Sequence, residues 1–144
     1  AGKCTKGRKR FILVDTLGLL LAVKVVAASV SEKAGAMLLL EKIWAKSGLK
    51  SLCKKIELVW VDGGYSGDEL YDWVAALTGW VWQVVKRSDD AKGFVLLPRR
   101  WVVERSFAWL SFNRRLSKDY EQLTRNSESA IYIAMLPILL KKLN

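Results

Sequence analysis

The stretch RFILVDTLGLLLAVKVVAAS, residues 10–29, limits the fold more than any other part of the chain. Asp15 and Gly18 in DTLG are turn residues, so the stretch reads as a hairpin of two strands, RFILVD and LLLAVKVVAAS. Both strands are apolar at nearly every position instead of every second one. A strand that shows one face to water alternates, whereas a strand apolar throughout is buried on both faces. This hairpin therefore needs cover above and below, which points to a layered α/β fold.

The rest of the chain supplies the layers. SEKAGAMLLLEKIWAKSG predicts a helix with Ser31 as its cap, Glu32 in its first turn and Gly48 as its stop. KIELVWVD reads as a strand ending in DGGYSG, and DELYDWVAAL as a helix stopping at Thr78-Gly79. WVWQVVKR alternates well enough for a strand. The loop SDDAKGFVLLP leads through Pro98 into a helix over RRWVVERSFAWLSFNRRL. The polar connector SKDYEQLTRNSES offers Asn126 or Ser127 as the cap of a last helix over 126–142, which Pro137 is expected to kink. The order is ββαβαβαα in one domain over 1–144, with a basic arm over 1–10 and no repeat or internal linker.

The chain contains no histidine, which excludes serine–histidine and cysteine–histidine catalysis and any His-ligated zinc. Chemistry near neutral pH then falls to carboxylates, lysines or a metal ion. Cys4 and Cys53 have no metal-ligand spacing and read as free thiols of a reducing compartment. The net charge of +10 favours a polyanion, with nucleic acid ahead of an anionic membrane. AIYIAMLPILL is about half of the roughly 20 residues that a membrane span requires, and the earlier apolar stretch is broken by Asp15 and Lys24.

Two carboxylates stand out. Asp62 closes a buried apolar strand and is followed by Gly63-Gly64, at the strand end where open α/β sheets bind ligands. It reads equally as a helix cap, although the glycines leave room for a close approach. Glu104 shares a helix face with Arg100 four residues before it, the spacing of an ordinary ion pair. Its surroundings, Trp101, Val102, Val103, Phe107, Trp109, Leu110 and Phe112, are not those of a solvated face. Cations nearby keep a carboxylate ionised, the state in which it ligates Mg²⁺. Lys6, Arg8, Lys9 and Arg10 on the arm, with Arg99, Arg100, Arg105, Arg114 and Arg115, are candidates for DNA phosphates, and Arg100 and Arg105 read alternatively as groups that orient Glu104. Trp101 or Trp109 offers a ring for a base to stack on.

KGRKRFILVDTLGLLLAV, WVDGGYSGDEL, RRWVVERSFAWLSFNRRLSKDYEQL and SESAIYIAMLPILLKKL together resemble the catalytic half of bacterial insertion-sequence transposases with a DDE acid triad, the "IS five" family and its relatives. The resemblance implies a ribonuclease H-like mixed sheet flanked by helices. It implies two divalent ions, Mg²⁺ or Mn²⁺, and DNA strand cleavage and transfer at insertion-sequence ends. Partners would be element-end and target DNA and a second copy of the chain, in a cytoplasmic, nucleoid-associated setting without a membrane. The second acid of the triad falls on Asp62, the third on Glu104, and the arginine ahead of that glutamate on Arg100. The first acid belongs on a central strand before KGRKR. Asp15 is the one nearby candidate and lies in the hairpin turn, the wrong place. The expectation is a segment that lacks its first, central strand and is inactive alone, completed by a missing N-terminal segment or a second reading-frame product. A non-catalytic basic nucleic-acid-binding module is the alternative.

Overall fold

The computed structural model of the chain describes residues 7–85 and 100–143. Strands β1 (Arg8–Val14) and β2 (Leu20–Ala27) form the expected antiparallel hairpin, with Phe11 opposite Lys24 and Leu13 opposite Ala22. The Asp15 carboxylate accepts the amides of Leu17 (2.9 Å) and Leu19 (2.8 Å), and Gly18 takes a φ of 80° that an L side chain disfavours. Successive residues of β1 enter different cores. Phe11 and Leu13 join one with Ala22 and Val26; Ile12 and Val14 join the other with Val23 and Val25. The hairpin is covered on both faces, as its uninterrupted apolar sequence required.

Helix α1 (Glu32–Ala45) covers the first face through Leu39, Leu40 and Ile43, and the Ser31 side chain caps it by accepting from Ala34 N. A break at Lys46 separates it from α2 (Ser47–Leu52), so Gly48 lies inside a second short helix and does not end the first. Strand β3 (Leu58–Val61), a 3₁₀ turn (Gly63–Tyr65), helix α3 (Asp68–Thr78) and strand β4 (Val81–Val84) follow, and β3 and β4 pair in parallel. Gly79 ends α3 in the left-handed conformation, as the Thr78-Gly79 reading anticipated. Val59, Leu70, Val74 and Trp80 bring this unit into the core beneath α1, where Trp80 meets Trp44 edge-on at 5.1 Å.

Helices α4 (Arg100–Ser111) and α5 (Thr124–Leu143), with a 3₁₀ turn at Arg114–Leu116 between them, cover the other face of the hairpin through Leu110, Leu116, Ile131 and Met135. Helix α5 begins at Thr124, ahead of the expected Asn126 or Ser127 cap; Ser127 lies inside its first turn, its amide donating to Leu123 O and its hydroxyl to Asp119. It continues through Pro137 to Leu143. No helix among the described residues is long and apolar enough to cross a membrane.

Where a mixed sheet lacking its central strand was expected, the described residues form two two-stranded sheets, with no strand pairing between them. Their edges differ. Ala28 N donates to Gly7 O, so the backbone groups of Lys9, Phe11 and Leu13 face β2, and those of Arg10 and Ile12 face the opposite edge. On β3, the bonds from Val81 N to Glu57 O and Val85 N to Val61 O turn the backbone of Leu58 and Trp60 away from β4. The outer edge of β2 is closed by side chains. Tyr132 Oη accepts from Val23 N (3.2 Å), Glu128 Oε1 accepts from Val25 N (2.9 Å), and Lys42 Nζ donates to Val23 O (2.7 Å) and Glu128 Oε2 (2.6 Å). Glu128 is only 7% exposed, so these bonds are what make its burial tolerable.

Candidate functional site

Asp62 stands where the sequence put it, one residue beyond β3. It also does what a capping residue does: Oδ1 accepts from Gly64 N at 2.9 Å and sets the 3₁₀ turn. The two readings are compatible, because a carboxylate has more acceptor capacity than one amide uses. Asp62 is exposed, and a side chain at Gly63 would meet nothing within 4 Å, so the space beside the carboxylate is open. Burial, with the negative charges of Asp62 and then Glu32, pushes the Tyr65 phenol up to about 12. Glu32 approaches from the start of α1, its side chain lying within 3.5 Å of where a Gly64 Cβ would be, and it pairs with Lys9 at 3.0 Å. The end of β3, the start of α1 and the start of β1 thus meet at one pole of the fold.

Glu104 is exposed on α4. Among the described residues, no group of three or more His, Cys, Asp or Glu side chains converges to hold a metal ion. Asp62 and Glu104 are two exposed carboxylates of the right chemistry for a hard divalent cation.

The cations divide sharply. Arg8 Nη1 donates to Asp119 Oδ1 (3.0 Å) and Ser127 Oγ (2.9 Å), while its Nη2 donates to the Gln122 carbonyl (2.9 Å). Lys9 holds Glu32 and the Val30 carbonyl, and Arg10 donates to the Leu116 carbonyl at 2.9 Å. Arg105 donates to the Leu17 carbonyl at 2.6 Å, and Arg115 pairs with Glu121 at 2.6 Å. Arg114 and Lys118 are exposed. Lys6 and Arg99 lie outside the described residues, as do Cys4 and Pro98; Arg100 begins α4. Cys53 is a free, fully buried thiol whose pKa burial raises.

The chain matches the family model described as Transposase DDE domain over residues 1–139. This chain belongs to the DDE transposase domain family. No curated protein and no solved structure matches it. Membership ties the chain to transposition and makes DNA its partner.

Within this DDE domain, side chains that sequence reasoning passed over shape the site. Glu32 was legible only as a helix-start acid, and nothing in the sequence tied it to Asp62 some thirty residues on. Asp119 looked like part of a polar connector, yet it anchors Arg8. Burial works to raise its pKa, but bonds from Ser127, the Glu121 amide and Arg8, with the Arg8 charge, outweigh that and hold it low. Asp15 is a turn residue bonded to two amides, as its position in the hairpin indicated. Trp101 and Trp109 flank the Arg105 guanidinium at 4.3 and 5.0 Å, so one face of each ring offered for a base already carries a cation.

Proposed function

We propose that this DDE domain carries part of a ribonuclease H-like catalytic centre of an insertion-sequence transposase, in which Asp62 and Glu104 ligate divalent ions. The observation that carries the reading is Asp62: a carboxylate fixed by Gly64 N at the end of a strand, exposed, with open space beside it. The hairpin, α1, the parallel β3–α3–β4 unit and α4 follow one another in the order that fold requires, which supports it. The ions, Mg²⁺ or Mn²⁺, polarise the scissile phosphodiester and the attacking oxygen when bound. The chain's own residues hold the two carboxylates in place and offer Arg114 and Lys118 to the backbone. A water, and afterwards the freed 3′-hydroxyl, attacks phosphorus in line as the opposite P–O bond breaks.

The reading includes a missing part. Among the described residues the two sheets share one core but no ladder, and the backbone of Arg10 and Ile12 on β1 and of Leu58 on β3 is directed to the unpaired sides. A strand seated there, antiparallel to β1 and parallel to β3, would join the sheets and end beside Asp62, where a first acid belongs. The described residues alone are then expected not to cleave DNA.

Mn²⁺ added to the isotope-labelled chain tests this by paramagnetic broadening. Resonances of Gly63, Gly64 and the α4 residues beside Glu104 should broaden first, and Asp62→Asn should abolish the effect at both places. Broadening at neither place, with DNA binding indifferent to metal, would sink the nuclease reading and leave a basic binding module.

A further inference from the structure

We propose that the β1–β2 turn is a positioning latch for α4, and that Arg105 and Ser106 set where Glu104 stands by gripping it. The role given to Glu104 rests on the proposed function; the latch itself rests on geometry. The turn is stiffened from within. The Asp15 carboxylate accepts two amides, Gly18 N donates to Asp15 O (3.0 Å), and Asp15 N donates to Leu19 O (3.0 Å). The carbonyls of Leu17 and Gly18 are met by two consecutive residues of α4. Arg105 Nη2 donates to Leu17 O at 2.6 Å, and Ser106 Oγ donates to Gly18 O at 2.7 Å.

The fit is tight from both sides. Ser106 is 1% exposed, so its hydroxyl depends on the carbonyls of Gly18 and Val102 (3.0 Å) for its bonds. Residues 101, 105 and 109 recur every four positions, so the two indoles stand on either side of Arg105 along one helix stripe and aim its guanidinium at the turn. The buried Arg105 Nε makes no hydrogen bond among the described residues, so the flanking rings are its compensation. A Cβ on Gly18 would lie 2.9 Å from Ser106 Oγ, 3.3 Å from Arg105 Nη2 and 3.4 Å from Trp109, at a φ of 80°. Only glycine lets the turn come this close.

Glu104 immediately precedes the gripping pair. A helix turns by about 100° per residue, so fixing Arg105 and Ser106 fixes the direction in which Glu104 leaves α4. Arg105 is therefore a positioning residue, the first of the two roles, orienting Glu104 or holding phosphate, that its place in the sequence left open.

Pulsed electron-spin measurements on the full chain test the latch without any metal. Spin labels go on Asp62→Cys and Glu104→Cys, with a control pair on Glu41→Cys and Ser129→Cys, in a Cys4→Ser, Cys53→Ala background. The 62–104 distance distribution is expected to be narrow, to broaden or shift in Arg105→Ala and again in Gly18→Ala, and to return in Arg105→Lys. The 41–129 distribution stays as it was. An unchanged 62–104 distribution in both variants, or equal broadening of both pairs, overturns the proposal. Neither result depends on Mn²⁺, so the latch can fail while the metal reading stands, and the reverse.

Discussion

At the scale of single residues, the charged side chains of this domain do more holding than the sequence suggested. Arg8 looks like part of a DNA-binding arm but ties β1 to the connector ahead of α5 through Asp119, Ser127 and Gln122. The depressed pKa of Asp119 sets a sign. Its contribution to stability is complete above the ordinary aspartate value of about 3.9 and is lost as pH falls through the lower folded value. Asp119→Asn is expected to cost about 1–3 kcal/mol at neutral pH, in line with bonds to a charged group, and to flatten the acid side of the stability profile in denaturant titrations. Tyr65 works in the opposite direction. Its phenol is held protonated to about 12, so stability is lost as pH rises from about 10 towards that value. Burial is the first cause, but the Asp62 charge contributes, so Asp62→Asn should lower the Tyr65 midpoint in an ultraviolet phenolate titration. A midpoint that stays put would show that the two groups do not sense each other.

At the scale of elements, packing reverses one familiar rule. Gly35 lies within α1, where alanine normally stabilises by up to about 1 kcal/mol. Here a Cβ would collide with the end of the Phe11 ring in the core. Gly35→Ala is expected to destabilise by about 1–3 kcal/mol through overpacking, read as an earlier thermal midpoint. Glu128→Ala will cost more, about 3–5 kcal/mol, because it strands the Lys42 ammonium and the Val25 amide. These elements also show what was legible beforehand. The two-sided burial of the hairpin, the Ser31 and Gly79 ends and the strand before Asp62 follow from local pattern, and the structure keeps them. The break at Lys46 and the early start of α5 were not marked by any capping or stop residue in the sequence. The site was half legible for the same reason. Asp62 is announced by the strand it ends, whereas the grip of Arg105 on Leu17 spans 88 positions of chain and no spacing rule reaches that far.

At the scale of the whole molecule, a net charge of +10 promises strong, salt-sensitive DNA binding, but few of the described candidate arginines are placed to deliver it. Arg114→Ala and Lys118→Ala should each reduce the slope of log affinity against log salt by about one. Arg8→Ala should leave the slope alone and lower the melting temperature instead. Titrations at several salt concentrations separate the two kinds of cation, and a changed slope in Arg8→Ala would refute the division. The side chains along β2 carry a further consequence. A hairpin with one sealed rim can splice to a neighbour on one side only, so two such hairpins end in a closed pair. If Glu128, Lys42 and Tyr132 let go, the same hairpin has two usable rims, and that is the geometry of a ribbon with no natural end.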